Sequence, residues 1–309
     1  MTLAHAPGKV ILFGEHAVVY GRPAIAVPVT EVQASASVEP GEPGQGTIII
    51  APDLERSITL HEAAEDEPLA RIVRLTLDRI KAEPDPDVTI TVSSTVPVAR
   101  GMGSGAAVSA AIVRALSQHF AHWLASRVIS ELVFQTEVLY HGTPSGIDNT
   151  VISFEKPVYF VKDEGWEVFW VGEPLLLAIA DTGVSSSTRE VVADLRQRYE
   201  ADPVRYTPAL DRIGEIALSA RSAIEQGQTE TVGKLMDENH ALLQELGVSC
   251  PELDRLVRVA RDAGAMGAKM SGAGWGGNMI ALIDESTRGR VEFMLRLGGA
   301  SRVIISEVK

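Results

Sequence analysis

The chain has 309 residues, 28 basic against 41 acidic side chains for a formal net charge of -13, 45% hydrophobic residues and a single cysteine. That length suits one large domain or two ordinary ones with a buried core, which excludes disorder as the dominant state. The acidic balance repels phosphate backbones and excludes nucleic acid as a main partner, while one cysteine excludes an intrachain disulfide and a cysteine-based zinc site.

The opening MTLAHAPGKVILFGEH shows no basic leader and no long apolar run. No stretch approaches the roughly 20 apolar residues of a membrane-spanning helix. The expected location is the cytoplasm, with no membrane partner. The oligomeric state is open, a homodimer being one possibility.

Val10 to Phe13 reads as a short strand. Val32, Ala34, Ala36 and Val38 alternate with polar residues as in a half-buried strand. A helix is expected from about Leu69 to Ala82, ended by EPDPD, followed by a strand over Val88 to Val92. Ser104 to Trp123 is rich in alanine with Val108, Ile112, Leu116 and Phe120 at four-residue steps, a helix pattern, and a second helix runs from Ser126 to Tyr140. Strands are expected near Val151 to Phe154, Val158 to Val161, Val168 to Val171 and Leu175 to Ala180. Beyond Thr182 the chain is mostly helical, near Thr188 to Tyr199, Pro208 to Gln226, Thr229 to Leu246 and Pro251 to Ala263. Strands at Met279 to Ile283 and Arg302 to Ser306 flank a helix near Ser286 to Leu297. A domain boundary is expected near Glu173 or Pro174, dividing the chain into 1–173 and 174–309.

Three segments concentrate glycine. PVARGMGSGAA, comprising Pro97, Val98, Ala99, Arg100, Gly101, Met102, Gly103, Ser104, Gly105, Ala106 and Ala107, leads into the alanine-rich helix. Glycines there let the backbone approach a ligand, and a helix start offers free N–H groups, so phosphate is the natural occupant; a tight packing turn is the alternative. It is neither a Walker A loop nor a dinucleotide fingerprint. KMSGAGWGG, from Lys269 to Gly277 and including Gly272 and Gly274, lines a phosphate or is an ordinary connection. HGTPSGIDN places Asp148 just after a turn, eleven residues from Glu137 on the preceding helix. Those two carboxylates serve a metal and a substrate hydroxyl if the turn brings them together, and otherwise are surface or capping groups.

Lys9, in APGKVILFGEH, is either a snorkelling edge residue or a cation aimed into a site; the neighbouring Pro7, Gly8, Gly14, Glu15 and His16 favour the latter. His16 is a core histidine, a base or a ligand for a carboxylate. DTGVSSSTRE, Asp181 to Glu190, opens a helix capped by Ser187 or Thr188, or forms a substrate-binding rim. No Gly-x-Ser-x-Gly elbow is present and Cys250 has no activating partner in its segment, which disfavours covalent catalysis.

Taken together, APGKVILFGEHAVVYGRPAIAVPV, PVARGMGSGAAVSAA, HGTPSGIDN and KMSGAGWGG resemble, in order across residues 6 to 277, the motifs of the GHMP small-molecule kinases. AVVYGRPAIA after GEH is similar to the mevalonate kinases among them, whereas galactokinases continue with a Thr-Asp-Tyr type sequence and phosphomevalonate kinases commonly carry Tyr in place of His16.

The resemblance implies an α+β chain of two domains, the N-terminal one like domain 2 of ribosomal protein S5 and the C-terminal one ferredoxin-like, with ATP bound between them. It implies transfer of the ATP γ-phosphoryl group to the C5 hydroxyl of mevalonate, with Mg2+ as cofactor. By motif position Asp148 is the base and Lys9 its cationic neighbour. Glu137 and Ser104 match the magnesium site; Glu15, His16 and Thr188 match positions near mevalonate; Pro97 to Ala107, Gly272 and Gly274 match ATP-binding positions. Two departures stand out: Gly105 replaces the second serine generally assigned to magnesium, and Ser186 stands where animal members carry an arginine near the substrate carboxylate.

Overall fold

The computed structural model describes residues 1–98, 100–141 and 145–309, with the backbone alone at 140 and 141. Its elements in chain order begin with β1 (Thr2–Phe13), β2 (Ala24–Pro40), β3 (Ile48–Ala51), β4 (Arg56–Thr59), α1 (Pro68–Ile80), β5 (Val88–Ser94), α2 (Ser104–His119), α3 (Ser126–His141) and α4 (Ile147–Phe154). There follow β6 (Val158–Val161), β7 (Gly165–Val168), β8 (Leu175–Asp181), α5 (Thr188–Ala201), α6 (Pro203–Glu225), α7 (Thr229–Glu245), α8 (Pro251–Asp262), β9 (Gly267–Ser271), β10 (Asn278–Ile283), α9 (Arg288–Leu297) and β11 (Arg302–Val308). They form two compact units that interleave along the chain: Met1–Lys9, Val32–Pro97 and Gly103–Glu155 make the first, and Val10–Glu31, Val98–Met102 and Lys156–Lys309 the second.

In the first unit the C-terminal part of β2 pairs antiparallel with β5, with Ala34 opposite Ser94 and Val38 opposite Ile90. β3 joins β5 in parallel and β4 antiparallel. The alternation in β2 does what period-2 patterning requires: Val32, Ala34, Ala36 and Val38 are buried while Gln33, Ser35 and Ser37 are half-exposed. Pro68 and the Glu67 side chain, which accepts from the Ala70 N–H at 2.7 Å, start α1. α2 packs against α1, α3, α4 and β5, and its buried Ala106, Ala107, Ala110, Ala111 and Ala115 allow neighbours close on several sides.

The expected strand at Val151 to Phe154 is instead the end of α4. The apolar run VISF suits a strand by composition, but Gly146 at φ 90° turns the chain into a helix. The Asn149 side chain then donates to Ser130 Oγ of α3 at 2.9 Å, and packing against α2 and α3 overrides propensity. The strand expected over Val168 to Val171 lies earlier, at β7. β3, β4 and β9 were not anticipated. The helix expected from Pro208 begins at Pro203, where Asp202 caps it by accepting from the Arg205 N–H at 3.2 Å.

In the second unit β11, β8, β10 and β9 form an antiparallel sheet in that order. The sequence of strand, helices, two strands, helix and strand is the ferredoxin-like arrangement, so the α+β expectation holds. The core of this unit gathers Ala178, Ala180, Leu210, Ile213, Leu243, Leu256, Met270 and Met279, all 0% exposed. Gly233 of α7 and Gly267 of β9 meet backbone to backbone: a Cβ on Gly267 would lie 2.0 Å from the Gly233 carbonyl oxygen. Gly267→Ala is therefore expected to destabilise the protein by about 3 kcal/mol, since the atom it meets is backbone and cannot rotate away. An unchanged denaturant midpoint in that variant would remove the close approach from the account.

Candidate active site

In the first unit, Lys9 Nζ lies 2.9 Å from Asp148 Oδ1. Lys9 is 5% exposed and comes from β1; Asp148 lies in the first turn of α4. Burying an ammonium is costly unless a carboxylate accompanies it, and Asp148 supplies that charge. Glu137 of α3 is also buried. Its carboxyl is pushed up to about 7 by burial first and by the negative charge of Asp148 second, with Lys9 partly offsetting both. The two carboxylates that stand eleven residues apart in sequence thus share one electrostatic environment.

Gly103 belongs to the same group. Its φ of +70° favours glycine, and a Cβ there would meet Ile152 Cδ1 at 2.7 Å, Lys9 Cγ at 3.3 Å and Asp148 Oδ2 at 3.6 Å. No side chain caps α2, which Gly103 precedes. The first N–H groups of the helix and its positive end therefore lie beside the Lys9–Asp148 pair, an arrangement that accepts an anion. Ser104 opens α2, half-buried like Gly105, while Met102, Ala106 and Ala107 are buried. Gly101, at φ +71°, and Val98 are exposed and Pro97 is half-buried. Ala99 lies outside the described residues, as do Gly142, Thr143 and Pro144 of HGTPSGIDN.

Arg100 belongs to the second unit and is tied to its sheet. Its Nε lies 3.2 Å from Asp181 Oδ2 at the end of β8, and its carbonyl accepts from Asn278 Nδ2 at 2.6 Å at the start of β10. Asp181 and Asn278 are register partners across the two strands. Sequence reading singled out neither as a partner of Arg100, because nothing local signals a contact made 178 residues away.

The second unit also holds Glu15 and His16. Glu15 is ion-paired with Lys269 of β9, whose Nζ also donates to the Met270 carbonyl at 2.7 Å; both side chains are almost wholly enclosed. Removing one member of such a pair costs about 3–5 kcal/mol, because the other charge stays buried. His16 Nε2–H donates to the Ala273 carbonyl at 2.7 Å. Burial holds its imidazole down at about 4, so it is neutral near pH 7. Ser271 Oγ donates to the Ile11 carbonyl at 2.8 Å, a further bond to KMSGAGWGG. Gly272 and Gly274 have φ +94° and +95°, and a Cβ on Gly274 would fall 1.8 Å from the Val248 carbonyl oxygen. Ser186 Oγ donates to the Gly274 carbonyl at 2.7 Å. Thr188 is exposed at the start of α5, and the helix is capped by Ser187, which accepts from the Glu190 N–H. Nothing local in GAKMS marks Lys269 as a partner of Glu15; the strand that buries it carries no alternation.

Burial pushes the Cys250 thiol up, which disfavours its thiolate. Among the described residues no group of three or more His, Cys, Asp or Glu is arranged to hold a metal by itself, and no helix is long and apolar enough to cross a membrane.

Comparison with known proteins agrees with this geometry. The model of the GHMP kinases N terminal domain matches residues 69–156, and that of the GHMP kinases C terminal region matches 220–300. Mevalonate kinase of Pyrococcus furiosus is 35% identical over 319 residues, covering 98% of this chain and 95% of that protein. Mevalonate kinase of Pyrococcus horikoshii is 37% identical, covering 91% and 88%. The crystal structure of L. major mevalonate kinase in complex with R-mevalonate superimposes with a TM-score of 0.85 at 30% identity, covering 100% of this chain and 96% of that one. The two matched domain models, the first of which takes in the uncapped helix start and Asp148, define the class: the chain is a GHMP kinase. Within that class it belongs to the mevalonate kinase family.

The raised Glu137 carboxyl has a direct consequence for stability. The unfolded chain releases this proton near 4.5 and the folded one near 7, so the folded state holds more protons in that window and stability falls as pH rises through it. Glu137→Gln removes the titration. The variant is expected to gain on the order of 3 kcal/mol relative to wild type between pH 4.5 and 8, measured by denaturant unfolding without divalent cations. A difference that stays constant with pH would overturn the assignment.

Proposed function

We infer that the protein transfers the γ-phosphoryl group of ATP to the C5 hydroxyl of (R)-mevalonate, giving 5-phosphomevalonate and ADP on the mevalonate route to isoprenoids. The observation that carries this reading is the Lys9–Asp148 pair lying beside Gly103 and the uncapped start of α2. Full-length relationship to mevalonate kinases supports the choice of alcohol.

In this reading Asp148 accepts the C5 hydroxyl proton as that oxygen attacks the γ-phosphorus, and the bond from phosphorus to the β,γ-bridging oxygen breaks to leave ADP. The Lys9 ammonium, 2.9 Å from the aspartate, stabilises negative charge developing on the attacking oxygen. Backbone N–H groups from Gly101 to Ala107 hold ATP phosphates, with Pro97 to Arg100 leading into that loop and Gly272 and Gly274 completing the ATP-binding set. Glu15, His16 and Thr188 serve mevalonate. The proposed domains run 1–173 and 174–309. A single cysteine suits a reducing compartment, so the cytoplasm is the proposed location.

The residues present fit magnesium. Glu137 and Ser104 offer hard oxygen donors, and the Glu137 carboxyl is raised by burial first and by the negative charge of Asp148 second, two costs that a bound cation would offset. When bound, magnesium neutralises charge on the ATP phosphates. With glycine at 105 there is no second serine hydroxyl, and Ser104, water or a nucleotide oxygen would take its place toward magnesium.

A coupled ADP-release assay over mevalonate, phosphomevalonate, a sugar and homoserine tests the reading. Mevalonate is expected to turn over at least about 10-fold faster than any other alcohol, and preference for another acceptor would replace it. Asp148→Asn is expected to lower kcat by about 100-fold or more with ATP binding retained; near-normal turnover would remove Asp148 as the base. Glu137→Gln is expected to raise the magnesium concentration at half-maximal rate, and an unchanged titration would take Glu137 out of the metal site.

A further inference from the structure

His16 has φ 61° and ψ -47°, and the Ala17 N–H donates across it to the Glu15 carbonyl at 2.7 Å. This is the rare form of γ-turn with a positive φ at its centre, a strained conformation for any residue with a Cβ. Such strain persists only where the surroundings over-determine it, and here they act from both sides. Upstream, the Glu15 carboxylate is ion-paired with the fully buried Lys269, whose remaining reach is spent on the Met270 carbonyl. Downstream, Ala17 is 0% exposed within the core of the second unit. The imidazole itself is tied by Nε2–H to the Ala273 carbonyl. That carbonyl is rigidly placed: Gly274 abuts Val248, and the Trp275 N–H donates to the Val248 carbonyl at 2.9 Å.

With Nε2 carrying the proton toward Ala273, Nδ1 of the neutral ring is left as a hydrogen-bond acceptor. An acceptor at that position suits a substrate hydroxyl, and its direction is set by the turn. A one-residue strain this local relaxes by rotating φ, which would swing the ring away from Ala273.

We propose that Lys269 is a positioning residue for the alcohol substrate: by neutralising Glu15 in the interior it holds the γ-turn at His16, and so presents the imidazole to the substrate before the substrate arrives. Glu15 then acts through His16 and need not touch the substrate. The proposal deepens the reading of mevalonate as acceptor and rests on it.

The deciding variant is Glu15→Gln with Lys269→Met, which removes both buried charges together and leaves neither stranded, whereas Lys269→Met alone strands a carboxylate and is prone to misfold. The double variant is expected to raise KM for mevalonate about 10-fold with KM for ATP unchanged and to lose slow amide exchange at Ala17, whose N–H closes the turn; a raised KM with Ala17 still protected means that Glu15 acts by touching the substrate and overturns the proposal. A wild-type KM for mevalonate, or equal rises in both KM values, overturns the proposal, the second because a general loss of packing would move both substrates. Should the double variant fail to fold, amide hydrogen exchange at Ala17 in the wild-type protein without substrate decides. Slow exchange there before mevalonate is added supports a preformed turn, and protection appearing only with mevalonate overturns it. A wild-type enzyme that releases no ADP with mevalonate sinks the functional reading instead, while the exchange measurement still reports on the turn.

Discussion

A buried charge must be met by an opposite charge close at hand, and the functional groups of this protein are arranged around that constraint. Lys9 and Lys269 are both almost without access to solvent, and each is matched to one carboxylate, Asp148 and Glu15 respectively. In a chain of net charge -13 cations are scarce, and bulk attraction offers nothing to an anionic nucleotide or a carboxylate substrate. Placement therefore matters more than number. Glu137 shows the opposite case: buried first of all, then facing the charge of Asp148 and only partly compensated by Lys9, it holds its proton to about 7, the state that a divalent cation relieves.

Close approach of backbones is the second organising factor, and glycine is its instrument. Gly103 lets the start of α2 lie against Lys9 and Asp148, where even a methyl group would collide with Ile152. Gly274 does the same against Val248, and the pairing of Gly233 with Gly267 seats α7 on β9. Oriented N–H groups and a few paired charges, rather than a covalent nucleophile, are what phosphoryl transfer needs.

Much of the fold was legible because local physics decides it. The alanine-rich repeat over 104–119 makes α2 whatever its neighbours do, and the alternation from Val32 to Val38 makes a half-buried strand. The composition of VISF, with β-branched Val151 and Ile152 before Phe154, suits a strand, and only Gly146, Asn149 and contact with α2 and α3 tip it to helix in α4. β9 escaped notice because its five residues, GAKMS, carry no alternation; all five are buried. The sequence leaves open whether Glu137 and Asp148 meet or are separate surface groups, and it carries no sign of the link of Arg100 to Asp181 and Asn278, since strand register creates it.

The amino-acid sequence by itself determined the chemical inventory: which glycines permit close approach, where an uncapped helix begins, and that Lys9, Asp148 and Glu137 are available in ordered motifs. Those properties are encoded in residue type and spacing over at most a few turns of chain. Only the tertiary structure decided how charges are shared. It joined Lys9 to Asp148 rather than to the nearby Glu15, joined Glu15 to a lysine 254 residues away, and forced His16 into a turn that no sequence pattern announces. Coulomb energy and desolvation depend on distance and burial in space, and neither is a property of the chain until it has folded.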